Sequence, residues 1–130
     1  MRLVLDTHIW LRWLSSDLPL DDKIVQAIEE AEYLAVSSIS CWEVAYLVKR
    51  QRVKLPCDLS AWMRVALAGS DIEVVEISSE IAVIAANLPE IHRDPADRFI
   101  IATALKGNCK LMSLDGRFKD YEVLKGVLVY

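Results

Sequence analysis

The chain has 130 residues, of which 54% are hydrophobic and 26% are charged. These values fit one globular domain over residues 1–130 and exclude a disordered chain. The apolar runs are strand-sized, far below the roughly 18 residues that span a bilayer. Asp6 also interrupts the segment where a signal peptide would still be apolar. We therefore expect a cytosolic protein without a membrane segment.

The formal net charge is −4 and the sequence pI is about 5.1. Nucleic-acid-binding proteins are typically basic, so the bulk charge does not favour such a partner. It does not exclude one either, because clustered acids lose their negative charge when they bind divalent cations. A local basic run is also present: Lys49, Arg50, Arg52 and Lys54. Three scattered cysteines predict reduced packing residues, not disulfides or a zinc site.

The spacing of apolar residues predicts short strands that alternate with helices along the chain. Strands are predicted at residues 3–5, 34–36, 74–77, 110–114 and 127–129. Helices are predicted at residues 7–14, after Asp21 as a cap, at 40–50, at 59–67, from a Ser79 cap to about residue 88, and from Asp94-Pro95 to about residue 106. This alternation indicates an α/β domain with a mainly parallel sheet.

Two aspartates directly follow predicted strands. Asp6 follows residues 3–5, and Asp115 follows the run at residues 111–114. The carboxyl ends of parallel strands meet at one edge of a sheet, where open α/β sheets bind ligands, so both aspartates are candidate site residues. Aspartate is also a common turn former and helix cap, and this interpretation stays open for each of them.

Two further acids lie in the first turns of predicted helices. Asp97 shares a helix face with the apolar residues three, four, seven and eight positions further on, so a carboxylate extends the face expected to pack on the sheet. Asp94 and Pro95 precede it as a predicted cap and first helical residue, so an acid in the first turn also fits a capping role. Glu43 lies near the start of the helix at residues 40–50, and its importance depends on the other acids.

Converging carboxylates need a neutralising partner. Two of them about 4 Å apart repel by roughly 4 kcal/mol at an effective dielectric constant of about 20. That is a large part of the roughly 5–15 kcal/mol that stabilises a small domain. Mg²⁺ prefers oxygen ligands and suits phosphate substrates. Such ions activate water and stabilise charge on a phosphodiester.

Four segments resemble, in order, the acidic motifs of PIN-domain proteins, specifically the VapC class of bacterial and archaeal toxins. They read LVLDTH at residues 3–8, SSISCWEV at residues 37–44, DPADRFIIATA at residues 94–104 and LMSLD at residues 111–115. Each motif alone is weak, and the third is the most distinctive. Together they cover the chain from residue 3 to about residue 118.

The resemblance implies a PIN-like three-layer domain, in which helices flank a short, mainly parallel central sheet. It implies an endoribonuclease with Mg²⁺ or Mn²⁺ as cofactor, RNA as substrate, a homodimer, and a cognate antitoxin in a type II toxin–antitoxin system. The implied catalytic and metal-binding residues are Asp6, Glu43, Asp97 and Asp115. Asp115 is the least established of these as a direct ligand, because the fourth acid varies most among such proteins.

Several nearby residues are given supporting or structural roles. Thr7 can assist through its hydroxyl near Asp6. His92 and Asp94 match a His-x-Asp-Pro-x-Asp-Arg pattern found in a subset of the family, although helix capping is the preferred interpretation of Asp94. We expect the helix to turn His8 away from Asp6. The four tryptophans could stack RNA bases, but core or dimer-interface packing is the preferred interpretation of Trp10, Trp13, Trp42 and Trp62.

Two other functions compete with the nuclease. An Asp-based phosphatase or receiver domain also has aspartates at strand ends. However, residues 6–8 lack the Asp-x-Asp of haloacid-dehalogenase-type phosphatases, and no receiver pattern of paired acids and a later lysine is evident. The second alternative is a non-catalytic PIN-like module that binds RNA or a basic peptide.

Overall fold

The computed structural model of the protein describes residues 1–15, 19–69, 71–91 and 93–130, so His92 lies outside the described residues. The described part of the chain forms five strands and six α-helices. The strands are β1 (Arg2–Leu5), β2 (Tyr33–Ser37), β3 (Glu73–Val75), β4 (Lys110–Met112) and β5 (Leu128–Val129). The helices are α1 (Thr7–Trp13), α2 (Asp22–Glu29), α3 (Ser38–Lys49), α4 (Leu59–Ala68), α5 (Ser79–Asn87) and α6 (Pro95–Lys106). Two 3₁₀ turns, at Phe118–Asp120 and Glu122–Leu124, connect β4 to β5.

The five strands form one parallel sheet in the order β3-β2-β1-β4-β5. The chain passes outward from β1 to β2 and β3, and then returns to the opposite side of β1 to form β4. The strand order therefore reverses between β1 and β4, and the crevice at the carboxyl ends of these two strands is the expected ligand site of such a sheet. The α/β class and the parallel sheet predicted from the sequence are confirmed.

Both faces of the sheet are covered, which gives the expected three layers. In β1, Leu3 and Leu5 contribute to one hydrophobic core and Val4 to the other, as the two-residue period of a strand requires. The first core also contains Trp10 of α1, Ile24 of α2, Val44 of α3 and Trp62 of α4. The second contains Ile100 and Ile101 of α6 and Phe118 and Leu124 of the 3₁₀ turns.

The predicted starts of two helices are wrong by one or two residues. Helix α3 begins at Ser38 and not at Ser40, because the Ser37 side chain accepts a hydrogen bond of 3.2 Å from the backbone N–H two residues on. The cap of α5 is Ser78 and not Ser79. The predicted Asp21 cap of α2 is confirmed.

Two predicted strands are too long. Strand β3 ends at Val75, whose partner Ser37 is the last residue of β2. Strand β4 ends at Met112, whose partner Leu5 is the last residue of β1. Each strand stops where its neighbour leaves the sheet. The 3₁₀ turns were not predicted.

The three cysteines are free thiols. Cys109 is buried and Cys41 packs against the core, whereas Cys57 is exposed, so the predicted packing role is wrong for Cys57. Among the described helices, none combines the length and apolar character needed to cross a bilayer.

Candidate active site

Asp6 is the most deeply buried acid at the carboxyl edge of the sheet, with 5% of its surface exposed. Its Oδ1 accepts a hydrogen bond of 2.9 Å from the Ile9 N–H and so caps α1. Its Oδ2 accepts a hydrogen bond of 2.5 Å from the Ser113 hydroxyl. Burial raises the pKa of Asp6, and these two hydrogen bonds oppose that rise. The helix-cap interpretation of Asp6 is therefore correct, and it does not exclude a role in the site.

Ser113 connects the ends of β1 and β4. While its hydroxyl donates to Asp6, its oxygen accepts a hydrogen bond of 3.0 Å from the Asp115 N–H. The residue is 1% exposed. Ser113 was not predicted from the sequence, although a small polar residue inside the apolar run before Asp115 was a usable signal.

Glu43 is held by hydroxyl groups from α1 and from its own helix. Thr7 Oγ1 lies 2.5 Å from Glu43 Oε1 and 2.8 Å from Ser40 Oγ. Because a hydroxyl has one proton, the satisfied arrangement has Thr7 donating to Glu43 and accepting from Ser40. Thr7 and Ser40 are both buried. Ser40 was not identified from the sequence, although it lies three residues before Glu43 and so shares its helix face.

Asp97 lies in the first turn of α6, and 15% of its side chain is exposed. Its pKa is raised to about 7, mainly by burial and further by the negative charges of Asp94, Glu43 and Asp115, while Arg117 opposes the rise. Asp94 caps α6 by accepting a hydrogen bond of 3.0 Å from the backbone N–H two residues on. The preferred capping interpretation of Asp94 is confirmed, and its charge also acts on the site.

Among the ion pairs of the described residues, those of Arg117 are the ones that involve this group of acids. Its Nη2 lies 2.8 Å from Asp115 Oδ2 and 3.6 Å from Asp97 Oδ2. Its Nε also donates to Asp115 Oδ1 at 3.1 Å. The Arg117 side chain is 60% exposed, so solvent reaches this ion pair. Arg117 was not predicted from the sequence, because nothing in a turn sequence shows that the side chain folds back on the acid two positions earlier.

The four predicted acids lie at one edge of the sheet, where their negative charges contribute to the raised pKa values of three of them. The pKa of Asp6 is raised in part by Asp115, and the pKa of Glu43, raised mainly by burial, is raised further by Asp94 and Asp6. Glu43 and Asp115 in turn raise the pKa of Asp97. Five separate carboxylates, if Asp94 is included, thus share one electrostatic environment.

His8 does not have the position expected from the sequence. It is exposed and lines a cavity of about 340 Å³ together with Asp6 and Asp115. Its charge lowers the pKa values of Asp6 and Glu43, and so opposes the effect of burial. The expectation that α1 would turn His8 away from the site is wrong.

The tryptophans are divided between the core and the surface. Trp10 and Trp62 are buried and meet edge to face, with ring centroids 5.3 Å apart. Trp13 packs against the same core. Trp42 is 55% exposed and stacks on Tyr46, with ring centroids 5.1 Å apart. The core interpretation is therefore confirmed for the first three, whereas Trp42 lies outside the core and its place in a dimer interface stays a prediction.

The donor chemistry of this edge suits a hard divalent cation, because the converging groups are carboxylates supported by hydroxyls. Their raised pKa values show that additional positive charge would be favourable there. Among the described residues, however, no three acidic, histidine or cysteine side chains stand close enough to form a ready-made metal cage. Mg²⁺ keeps several waters and often uses only one or two protein carboxylates, so its binding does not depend on such a cage.

Comparison with known proteins identifies the class to which this parallel sheet, with carboxylates at one edge, belongs. A family model described as PIN domain matches residues 3–124, and the chain belongs to this family. It is 32% identical over 129 residues to Ribonuclease VapC22 of Mycobacterium tuberculosis (strain ATCC 25618 / H37Rv), and the match covers 98% of each chain. The resemblance to VapC-type PIN proteins inferred from the sequence motifs is confirmed.

Solved structures show the same fold. A chain of a toxin–antitoxin complex from Klebsiella pneumoniae matches with a TM-score of 0.68 and 24% identity, covering 98% of this chain and 96% of that one. A chain of VapBC2 from Rickettsia felis, solved with a DNA fragment from its promoter, matches with a TM-score of 0.70 and 18% identity, covering 99% and 98% of the two chains. At these identities the likeness concerns the fold.

Proposed function

We propose that this protein is an endoribonuclease that hydrolyses RNA phosphodiester bonds with Mg²⁺ or Mn²⁺, and that it is the toxin of a type II toxin–antitoxin pair. The observation that supports this most is the meeting of Asp6, Glu43, Asp97 and Asp115 at the point where the strand order reverses. The full-length similarity to a protein named as a ribonuclease supports the same reaction.

The proposed division of roles follows from the contacts of each acid. Asp6, at the end of β1, and Asp97, in the first turn of α6, would hold the metal. Glu43, whose carboxylate is oriented by the Thr7 hydroxyl, would complete the acidic site from α3. Asp115 is positioned through the hydrogen bond from its backbone N–H to Ser113.

When bound, Mg²⁺ or Mn²⁺ would supply a water of lowered pKa and would stabilise negative charge on the phosphate. The protein's own part is to bring these carboxylates together and to orient them through the hydroxyls of Ser113 and Thr7. Oxygen ligands bind the metal as carboxylates, so a proton on Asp97 competes with the cation. With a pKa of about 7, Asp97 loses this proton near neutral pH.

Cleavage of a fluorogenic single-stranded RNA tests the proposal. We expect cleavage that requires Mg²⁺ or Mn²⁺, stops with a chelator, and falls by at least about a hundredfold in Asp6→Asn and Asp97→Asn. Glu29→Gln is the matched control, because it removes a charge from an exposed position on α2 and should retain full activity. Both active-site variants must show wild-type circular dichroism.

Two outcomes would contradict the proposal. Full activity of a correctly folded Asp97→Asn protein would exclude this acid from the reaction. RNA binding without cleavage at any divalent-ion concentration would favour the non-catalytic module. Stable phosphorylation of Asp6 by a small phosphodonor would instead indicate the phosphatase or receiver class.

The antitoxin and the homodimer are further parts of the proposal. Structures similar to this chain include chains of toxin–antitoxin complexes, which supports a cognate antitoxin as partner. Large exposed apolar residues, among them Trp42 and Tyr46 on α3, are consistent with a protein interface. Light scattering of the purified protein should give twice the 14.7 kDa chain mass. Co-expression with the product of an adjacent gene should relieve growth arrest, whereas co-expression without relief would argue against that antitoxin.

A further inference from the structure

The side chain of Arg117 makes a bridge between two acids that come from different parts of the chain. Its Nη2 reaches Asp115 Oδ2 at 2.8 Å and Asp97 Oδ2 at 3.6 Å, while its Nε and its backbone N–H both donate to Asp115 Oδ1. Both oxygens of Asp115 therefore face Arg117. A planar guanidinium that binds a carboxylate through two parallel N–H groups is among the stronger ion-pair geometries.

The oxygens that Arg117 contacts belong to the acids proposed to bind the divalent cation. One Asp97 oxygen and both Asp115 oxygens lie within the reach of the guanidinium. A cation that binds Asp115 on the side now held by Arg117, or the Asp97 oxygen beside it, would take the position of the N–H groups, because one lone pair cannot serve both. Direct repulsion between a divalent ion and a nearby guanidinium adds to this competition.

We propose that Arg117 is the internal counter-ion of Asp97 and Asp115. It competes with the divalent cation for these two carboxylates and must leave them when the metal binds. This inference depends on the proposed metal-dependent function. Its consequence is that Arg117 lowers the affinity of the site for metal, while it neutralises part of the carboxylate repulsion in the metal-free protein. The 60% exposure of the side chain permits such a movement without unpacking the core.

The expected effect can be measured without an activity assay. Free Mn²⁺ is followed by electron paramagnetic resonance during titration of the wild type, Arg117→Gln, Arg117→Lys and Lys119→Gln. We expect Arg117→Gln to bind Mn²⁺ about tenfold more tightly, since the ion no longer has to displace the guanidinium from Asp97 and Asp115. Lys119→Gln removes the same charge from an exposed position on the adjacent 3₁₀ turn and should change the affinity by less than about twofold, because distant exposed charges are screened. Arg117→Lys should lie between the wild type and Arg117→Gln, because the charge stays but the two-pronged contact is lost.

The direction of the change distinguishes competition from structural damage. A misfolded or loosened site would bind Mn²⁺ more weakly, whereas competition predicts tighter binding. One outcome would overturn the role of Arg117 and leave the metal site intact. In that outcome the wild type binds Mn²⁺ and Asp97→Asn does not, but Arg117→Gln binds it no more tightly than the wild type. If neither the wild type nor Arg117→Gln binds Mn²⁺ at this site, the proposed metal-dependent function itself fails.

A second measurement follows the movement of Arg117 directly. The arginine Nε–Hε resonance that disappears in Arg117→Gln is assigned to this side chain by nuclear magnetic resonance. We expect Mg²⁺ to shift this signal towards the position of a solvated arginine. An unchanged signal at saturating Mg²⁺ would show that the guanidinium stays on Asp115 and would contradict the proposal.

Discussion

Replacing Asp97 by asparagine should stabilise the metal-free protein at neutral and alkaline pH. The pKa of Asp97 is about 7 in the folded chain, against an ordinary value of 3.8. An acid with a raised pKa is disfavoured in its charged form. Its ionisation therefore destabilises the folded state by about 1.4 kcal/mol for each pH unit between the two values, up to about 4 kcal/mol.

Two effects reduce this upper limit. The side chain is partly exposed, so solvent screens some of the repulsion, and the variant also loses the 3.6 Å contact with Arg117. An exposed ion pair of that kind contributes about 0–1 kcal/mol. We therefore expect Asp97→Asn to gain about 2 kcal/mol above pH 7, which corresponds to a rise in Tm of roughly 6–8 °C for a domain of this size.

The sign of the effect depends on pH in a defined way. Below about pH 4 the carboxyl is protonated in both the folded and the unfolded chain, and the variant and the wild type should be equally stable. As the pH rises from 4 to 7, the unfolded chain loses its proton first, so the wild type should lose stability while Asp97→Asn does not. Above pH 7 the difference should stay constant.

Thermal unfolding in the presence of a chelator, from pH 4 to pH 8.5, measures this difference. Glu29→Gln controls for the removal of one negative charge from the protein surface. Addition of Mg²⁺ should stabilise the wild type and leave Asp97→Asn unaffected. Equal Tm values at pH 8, or a wild type that is more stable than the variant, would refute the proposal that ionisation of the buried Asp97 beside the other acids destabilises the metal-free protein.

Four further predictions follow from individual contacts. Ser113→Ala should lower RNA cleavage about tenfold and reduce the free energy of unfolding by about 1–2 kcal/mol in a urea titration, because two hydrogen bonds are lost in a buried position; full activity would exclude this positioning role. Thr7→Val should raise the pKa of Glu43 further and shift the pH–rate profile to higher pH, whereas Thr7→Ser, which keeps the hydroxyl, should not. Mn²⁺ affinity measured by calorimetry should fall up to about tenfold per pH unit below pH 7 and level off above it, because a proton on Asp97 competes with the ion; a flat profile from pH 5.5 to pH 8 would contradict this. Ile100→Ala, at a core position that is 1% exposed, should cost about 2–5 kcal/mol in denaturant unfolding, and a loss below about 1 kcal/mol would contradict the packing of α6 on the sheet.

The periodicity of the apolar residues predicted the strands and helices well, since each helix or strand buries one or both of its faces and so repeats apolar residues with its own period. Strands β1, β2 and β5 and helices α1, α2, α4 and α6 lie within about one residue of their predicted positions. The errors concern the ends of β3, β4 and α3 and the cap of α5. These ends depend on which neighbouring strand is still present, or on which of two adjacent serines turns its hydroxyl to the backbone, and local sequence does not contain that information.

The candidate acids could also be identified from the sequence, because position after a strand and position on an apolar helix face are local properties. Asp6 and Asp115 were selected by the first property and Asp97 by the second, while Glu43 depended on the family motif. What could not be predicted was how these groups are held. The contacts of Ser113 with Asp6 and of Thr7 with Glu43 join residues that are 107 and 36 positions apart.

The sequence by itself determined the α/β class, the order of the elements and which acids are candidates for the site, since these follow from local spacing and residue type. Only the tertiary structure decided that Asp94 adds its charge to Asp97, that His8 lies at the cavity beside Asp6, and that Arg117 bridges two of the carboxylates. The physical reason is that charge interactions depend on distances through space and on burial. Both are fixed only when β4 is placed beside β1 and α6 is packed against the sheet.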